Sequence, residues 1–194
     1  VAMESKGEWI DSNQHLYARN ISRIQPSGEE LIVVSDEQLF IRDKAKQWSL
    51  LSGFQLVQDV LSHGNSSYTS GLYSGIFSRY DMGQPWENLD LPVSRAVLVR
   101  TTSRGKLHVL THVKRDRIRF YAYEPDAPTP KARWRDCSQD LPVNSMVQDF
   151  AVDEAEDTLF ITVATTRAIY CYDSYTGNWL PSQLPERYRV TCLY

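Results

Sequence analysis

The 194-residue sequence contains few residues of the kinds that mark a disulfide framework, a membrane span or a phosphate-binding loop. Its 3 cysteines, Cys137, Cys171 and Cys192, are too few and too irregularly spaced for a disulfide framework or a zinc site. No apolar run approaches the ~18 residues of a membrane span, and residues 1–8 contain no apolar signal segment. No Gly-rich phosphate loop is present. These absences predict no cofactor, no bound metal, no membrane partner and no visible targeting segment, and they leave the compartment open.

The charge of the sequence is nearly balanced, with 21 Lys and Arg against 24 Asp and Glu and a net charge of −3. Both signs are scattered along the chain, so the basic field that nucleic-acid binding needs is absent. The densest basic run, residues 114–119, is interrupted by Asp116 and is typical of a solvated turn. The composition therefore predicts an ordinary globular protein that does not bind nucleic acid.

Tryptophan recurs at a regular spacing. The five residues are Trp9, Trp48, Trp86, Trp134 and Trp179, and the intervals between them are 39, 38, 48 and 45 residues. Intervals in this range are typical of the blades of a β-propeller, each of which is a four-stranded sheet. Residues 168–179 show the unit best, because an apolar and aromatic strand is followed by the turn formers of residues 173–178 and then by Trp179. The sequence therefore predicts an all-β propeller of about four Trp-anchored blades.

The strand pattern divides one domain, residues 1–194, into four units. The predicted blades span approximately residues 16–51, 54–90, 95–140 and 146–183. The second blade is the least regular, since residues 63–67 predict a loop without periodicity. Residues 187–194 have no unit of their own and are predicted to form a seam with residues 8–17. A closed ring with a degenerate seam, a part of a larger ring and a ring completed by another subunit all remain open.

Two propeller families resemble this pattern. Residues 172–179 are similar to the hairpin of a kelch repeat, although the chain lacks the Gly-Gly doublet of kelch blades. The order of strand, turn, strand and Trp in residues 106–134 and 158–179 resembles the blades of fungal fucose-specific lectins. These resemblances imply a propeller fold.

The lectin resemblance also implies a sugar held between blades by an Arg, a Glu and an aromatic ring. At the best-matching positions this sequence has His108 and Phe160 in place of the Arg, and Phe120 and Ile169 in place of the Glu. The charged pair that would bind a sugar hydroxyl is therefore missing, and a shared fold does not transfer a function.

The candidate ligand-binding residues all lie between predicted blades. They are Trp48, Trp86, Trp134, Trp179, His108 and Arg119. Indole rings can stack on sugars, but a repeated Trp also buries a large apolar surface between sheets, and this second role is favoured. His108 and His112 have no nearby Cys, Asp or Glu of ligand type, so they do not indicate a metal site. The acids of residues 153–157 lack the interleaved Gly of a calcium loop.

No set of nucleophile, base and paired carboxylates can be assembled from these residues, so we predict that the protein is not an enzyme. The leading hypothesis is a non-enzymatic module that binds a protein partner through loops on one rim of the propeller. The alternative is a lectin with glycan sites between blades. A homo-oligomer that completes the ring is a further expectation.

Overall fold

A computed structural model describes residues 2–5, 8–11, 16, 20–81, 83–93, 95–114, 117–138, 147–155, 158–165, 168–173, 176 and 178–183. The regular structure in these ranges is β-strand, apart from a short 3-10 helix at Pro130–Arg133. No helix in the described ranges is long and apolar enough to cross a membrane. The β-rich prediction is confirmed.

Four sheets of four strands follow one another along the chain, and each is an antiparallel meander whose spatial order is its chain order. We name them blades I to IV. Blade I contains β3 (Ile21–Ser27), β4 (Glu30–Ser35), β5 (Gln38–Arg42) and β6 (Trp48–Leu51). Blade II contains β7 (Val57–His63), β8 (Ser66–Gly71), β9 (Gly75–Tyr80) and β10 (Glu87–Asn88). Blade III contains β11 (Ala96–Thr101), β12 (Leu107–Lys114), β13 (Arg117–Tyr123) and β14 (Trp134–Asp136). Blade IV contains β15 (Val147–Ala155), β16 (Thr158–Thr165), β17 (Ala168–Asp173) and β18 (Asn178–Gln183).

The first strand of each blade is its inner strand. In the described residues β3 lies against β7, β7 against β11, and β11 against β15. The blades therefore radiate from a common row of inner strands, which is the arrangement of a β-propeller. We call the face of a blade toward its successor the front face and the opposite one the rear face.

The hydrophobic core lies between blades. The front face of blade I packs on the rear face of blade II through residues such as Ile32, Leu39 and Val60. Two further clusters fill the interfaces between blades II and III and between blades III and IV. Because strand side chains alternate between faces, each blade contributes apolar residues to both of its interfaces.

Four tryptophans occupy equivalent positions at the start of the outer strand. Trp48, Trp134 and Trp179 pair with Arg42, Tyr123 and Tyr172 on the third strand of their blades. Trp86 directly precedes β10, with the Arg79 guanidinium 5.1 Å from its ring centroid. The prediction of about four Trp-anchored blades is therefore confirmed.

The fifth tryptophan belongs to a different unit. Trp9 lies in β2 (Glu8–Asp11), which pairs only with β1 (Ala2–Ser5) among the described strands. The predicted seam partner, residues 187–194, lies outside the described residues.

The sequence-based expectation of a loop at residues 63–67 is wrong, because the chain there makes only a tight turn before β8 begins at Ser66. The strand carries hydroxyl side chains at buried positions. Ser67 and Thr69 are each 1% exposed, and their hydroxyls bond to the Ser27 hydroxyl at 2.8 Å and to the Asp59 carbonyl at 3.1 Å. Small, hydrogen-bonded side chains thus fill this position between blades without an apolar signal in the sequence.

Candidate functional site

The tryptophans predicted to bind ligands are packed into the blade interfaces. Trp48, Trp134 and Trp179 are 9%, 6% and 8% exposed, and Trp86 is partly buried. The Trp134 indole nitrogen donates a hydrogen bond to the Leu89 carbonyl at 2.7 Å, which ties the outer strand of blade III to the segment leading out of blade II. These contacts leave little ring face for stacking on a ligand.

His108 and Arg119 lie on opposite faces of blade III, so the structure does not bring them together. His108 is fully buried toward blade IV and stacks on Phe120 with ring centroids 5.5 Å apart. Its Nδ1 lies 3.1 Å from the Lys106 carbonyl, and its Nε2 has no hydrogen-bond partner among the described residues. Arg119 is a half-exposed side chain that pairs with Asp136 at 3.0 Å.

A network of four charged residues joins the inner strands. Arg23, Asp59, Arg100 and Asp149 come from β3, β7, β11 and β15, so each blade contributes one member and the sign of the charge alternates. Three of these residues directly follow a register shift in their inner strand. A β-bulge re-aims the side chain that follows it, which explains how these charges come to meet at the blade junctions.

Asp59 is the centre of this inner-strand network and is 1% exposed. Its Oδ1 accepts from Arg23 Nε at 2.9 Å and its Oδ2 accepts from Arg100 Nη1 at 2.6 Å. The backbone N–H groups of Val60 and Val99 donate to the same carboxylate at 3.0 and 3.1 Å. One carboxylate therefore links the inner strands of blades I, II and III.

Arg100 extends the network to blade IV through a second bond, from Nη2 to Asp149 Oδ1. The Phe150 N–H donates to the same Asp149 oxygen at 2.8 Å, and the guanidinium carbon of Arg100 lies 5.6 Å from the Phe150 ring centroid. The two flanking carboxylates raise the Arg100 pKa against the opposing effect of burial, which is the largest single influence on it. Arg100 therefore forms ion pairs with both carboxylates, and these ion pairs connect the inner strands of blades II, III and IV.

Three concave regions lie side by side at the end of blades I and II where the inner strands begin. We call this end the loop face; it comprises the β4–β5 turn at residues 36–37, the crossover at residues 52–56, the β8–β9 turn at residues 72–74 and the crossover at residues 89–93. Cavities of about 500, 380 and 370 Å³ open on it. Tyr73, 56% exposed, lines two of the three.

The loop face is acidic in this region. Asp36, Glu37 and Asp90 line the three cavities, and no Lys or Arg is among the described residues that do so. An exposed aromatic ring between carboxylates favours a ligand that combines an apolar group with a positive charge.

Hydrogen bonds hold the loop face in one conformation. Asp36 and Glu37 both have positive φ, 48° and 61°, as the two central residues of a tight hairpin turn do. Asn20 Nδ2 donates to Asp36 Oδ1 at 2.8 Å, and the Val57 N–H donates to the Glu37 carbonyl at 2.8 Å. The Ser74 hydroxyl donates to the Gln55 carbonyl at 3.3 Å. Each turn is thus tied to a crossover or an inner strand, and the surface is pre-organised.

The network was not predicted from the sequence, and a binding surface of loops on one rim was expected without any of the residues of the loop face. One feature of the sequence could have indicated the network: the triplet Val-Gln-Asp occurs at residues 57–59 and again at residues 147–149. A repeated acid within two predicted inner strands would have placed Asp59 and Asp149 at equivalent points of two blades. Tyr73 carries no comparable signal, because its exposure depends on how the β8–β9 turn packs.

Comparison with known proteins identifies the fold. No protein-family model matches the sequence, and no curated protein matches it. The extracellular domain of a putative one-component system from B. thetaiotaomicron matches with a TM-score of 0.70 and 11% identity, over 97% of this chain and 26% of that one. YCF48 bound to D1 peptide matches with a TM-score of 0.52 and 15% identity, over 82% and 51%. The β-propeller domain of Cps50 (Swd1) from Myceliophteria thermophila matches with a TM-score of 0.56 and 13% identity, over 81% and 56%.

The chain spans 26% to 56% of the length of these three structures. Identities of 11% to 15% show a common fold and nothing finer. Four antiparallel four-stranded sheets around a row of inner strands, together with these likenesses, show that the chain has the β-propeller fold.

Proposed function

We propose that the protein is a non-enzymatic binding module whose loop face holds a segment of a protein partner, with Tyr73 contacting an apolar side chain and the surrounding acids contacting Lys or Arg. The observation that carries the proposal is the row of three cavities, two of which share Tyr73, with Glu37 and Asp90 among the acids that line them. A rigid scaffold that presents loops at one end is a common way to build such a site.

The size and rigidity of the surface support a peptide-like ligand. Cavities of about 370 to 500 Å³ suit single side chains and short turns of chain. Because the turns at residues 36–37 and 72–74 are already hydrogen-bonded in place, binding costs little ordering of the loop face. One structural neighbour, YCF48, is bound to D1 peptide, which supports a peptide ligand by analogy of fold only.

The non-enzymatic part of the proposal rests on how the buried carboxylates are used. Asp59 and Asp149 are held by Arg100 and by backbone N–H groups, so both carboxylates are engaged in contacts between the inner strands. The alternative function is carbohydrate binding, which the resemblance to fucose-specific lectins suggests. In that case an exposed ring such as Tyr73 would stack on a sugar.

The test is selection of peptides from a random phage-displayed library on the immobilised 194-residue chain. We expect the selected peptides to carry Lys or Arg beside an apolar residue. Tyr73→Ala should weaken their binding at least about tenfold, because it removes the central contact. Glu37→Lys should weaken it as well, and binding should fall as salt rises.

Tyr80→Ala is the matched control. Tyr80 is 71% exposed and ends β9, the strand that follows the turn containing Tyr73, so it lies at the opposite end of the same blade. Equal binding by the Tyr73→Ala and wild-type proteins would contradict the proposed site. Saturable binding on a glycan array that is lost with Tyr73→Ala would support the lectin alternative instead.

A further inference from the structure

The largest of the three cavities on the loop face lies between the inner strands of blades I and II. Its volume is about 500 Å³, and we call it the inner cavity. The described residues that line it come from the start of β3, the start of β7 and the β4–β5 turn: Asn20, Ser22, Asp36, Glu37, Val57 and Gln58. Apart from Val57 they are polar, whereas Phe54, Leu56 and Tyr73 give the neighbouring cavity of about 370 Å³ an apolar wall.

The two amide side chains of the inner cavity use their nitrogen atoms within the protein. Asn20 Nδ2 donates to Asp36 Oδ1 at 2.8 Å, and Gln58 Nε2 donates to the Leu56 carbonyl at 3.1 Å. Neither amide oxygen accepts a hydrogen bond from a described residue. An amide whose nitrogen is held in this way offers its oxygen, so both side chains are acceptors for a ligand.

Glu37 adds a negative charge at the edge of the same cavity. Its backbone is fixed by the turn, because its carbonyl accepts from the Val57 N–H at 2.8 Å. Its side chain is exposed, and its carboxylate forms no ion pair with a described residue. The inner cavity therefore combines a charged acceptor on blade I with a neutral acceptor, Gln58, on blade II.

The neighbouring cation does not neutralise this charge. Arg23 follows Ser22 in β3, but it is not among the described residues that line the inner cavity. Its Nε donates to Asp59 at 2.9 Å and its Nη1 donates to the Ser22 carbonyl at 3.0 Å. The guanidinium of Arg23 thus belongs to the inner-strand network, and the cavity keeps a negative character.

A cavity of this kind suits a group that is positively charged and only donates hydrogen bonds. Two protein side chains fit that description, arginine and lysine. The guanidinium presents its N–H donors in several directions of one plane and is weakly hydrated, whereas the ammonium of lysine is compact and strongly hydrated. Acceptors that stand on two different blades favour the group that can reach both at once, which is the guanidinium.

We infer that the inner cavity is a subsite for an arginine side chain of the partner. Glu37 pairs with the guanidinium, and the amide oxygens of Asn20 and Gln58 accept its other N–H groups. The inference rests on the proposed function and refines it, because it assigns the positive side chain to one cavity and selects arginine over lysine. The apolar side chain of the partner then lies in the neighbouring cavity, beside Tyr73.

The experiment compares three synthetic tripeptides on the 194-residue chain, acetyl-Leu-Arg-Leu-amide and its lysine and citrulline analogues, by NMR titration of the backbone amides. Citrulline has nearly the shape of arginine without its charge. We expect the arginine peptide to bind at least about tenfold more tightly than the citrulline peptide and at least about threefold more tightly than the lysine peptide. The largest shifts should occur at residues 37, 57 and 58.

Two variants separate the contributions of charge and geometry. Glu37→Gln should reduce the preference for arginine over citrulline at least about fivefold, because it removes the charge and keeps the shape. Gln58→Leu should reduce the preference for arginine over lysine, because it removes the acceptor on blade II. Glu29→Gln, at an exposed turn residue at the opposite end of blade I, is the matched control and should change neither preference. The amide spectra of the variants must show that each is folded.

The possible outcomes distinguish the subsite from the proposed function. Equal affinities for the three tripeptides, or no binding of the arginine peptide, overturn the arginine subsite. The proposed function is judged separately, by whether Tyr73→Ala weakens binding of the phage-selected peptides. A preference for arginine that Glu37→Gln leaves intact also overturns the inference, because the cation is then bound elsewhere.

Discussion

His108 makes the folded protein sensitive to mild acid. Its ring is fully buried between blades III and IV and stacks on Phe120. Burial lowers its pKa to about 4, and the positive charges of Lys106 and Arg135 act in the same direction. The Lys106 carbonyl and Glu124 act in the opposite direction without offsetting burial.

The magnitude follows from the difference between the folded and unfolded states. The unfolded chain has the ordinary histidine pKa of 6.5, so between pH 6.5 and about 4 it binds a proton that the folded protein does not. Stability is therefore lost as the pH falls through this window. At about 1.4 kcal/mol per pH unit the contribution of His108 is a loss of about 2 kcal/mol at pH 5 and about 3 kcal/mol at pH 4.

The assay is urea denaturation of the wild type and of His108→Leu at pH 7 and pH 5. The wild type should lose about 2 kcal/mol more than the variant between the two pH values, because carboxylates that titrate are common to both proteins. His63→Leu, a substitution at the exposed last residue of β7, is the control and should behave as the wild type does. An identical pH dependence for His108→Leu and the wild type would refute the reasoning.

Two further predictions concern stability at neutral pH. Arg100→Met should lower the free energy of unfolding by about 3–5 kcal/mol, because it leaves the buried carboxylates of Asp59 and Asp149 without their shared guanidinium. Arg119→Met should lower it by no more than about 1 kcal/mol, because the ion pair of Arg119 is half-exposed. Urea denaturation of both variants checks this, and similar losses for the two would contradict the role given to the network. Gly71→Ala should cost about 1–3 kcal/mol by the same measurement, since its Cβ would lie 2.8 Å from the Gln55 carbonyl oxygen and 2.1 Å from Ser74 Oγ; a neutral effect would show that the loop face can yield at this point.

Much of the architecture was predictable because it depends on local, repeated signals. Each blade has a tryptophan at the start of its outer strand, and the regular spacing of Trp48, Trp86, Trp134 and Trp179 in the sequence follows from this repeated position. The strands of blade III are marked in the sequence by β-branched and aromatic residues, and turns that contain glycine or charged residues separate them. Blade II was predicted less well, because β8 is rich in Ser and Thr, and two of its hydroxyls, on Ser67 and Ser70, form hydrogen bonds to Ser27 of blade I and to Val97 of blade III.

The candidate sites were not predictable to the same extent. The predicted site residues Trp134 and His108 are indeed between blades, but they are buried by packing that the sequence does not reveal. Tyr73 and Glu37 lie in turns with no distinctive motif, and they become neighbours only because blade II packs against blade I. The alternation of Arg23, Asp59, Arg100 and Asp149 is likewise invisible in a chain where they are separated by 36 to 49 residues.

The sequence by itself determined the all-β class and the count of Trp-anchored units, since both follow from side-chain alternation and from a repeated residue along the chain. Only the tertiary structure decided which surfaces face solvent. Val99 is buried because blade II covers it, and whether Asp36 shares a cavity edge with Tyr73 depends on how two sheets meet. Exposure and proximity are properties of packing, and packing involves residues far apart in the chain.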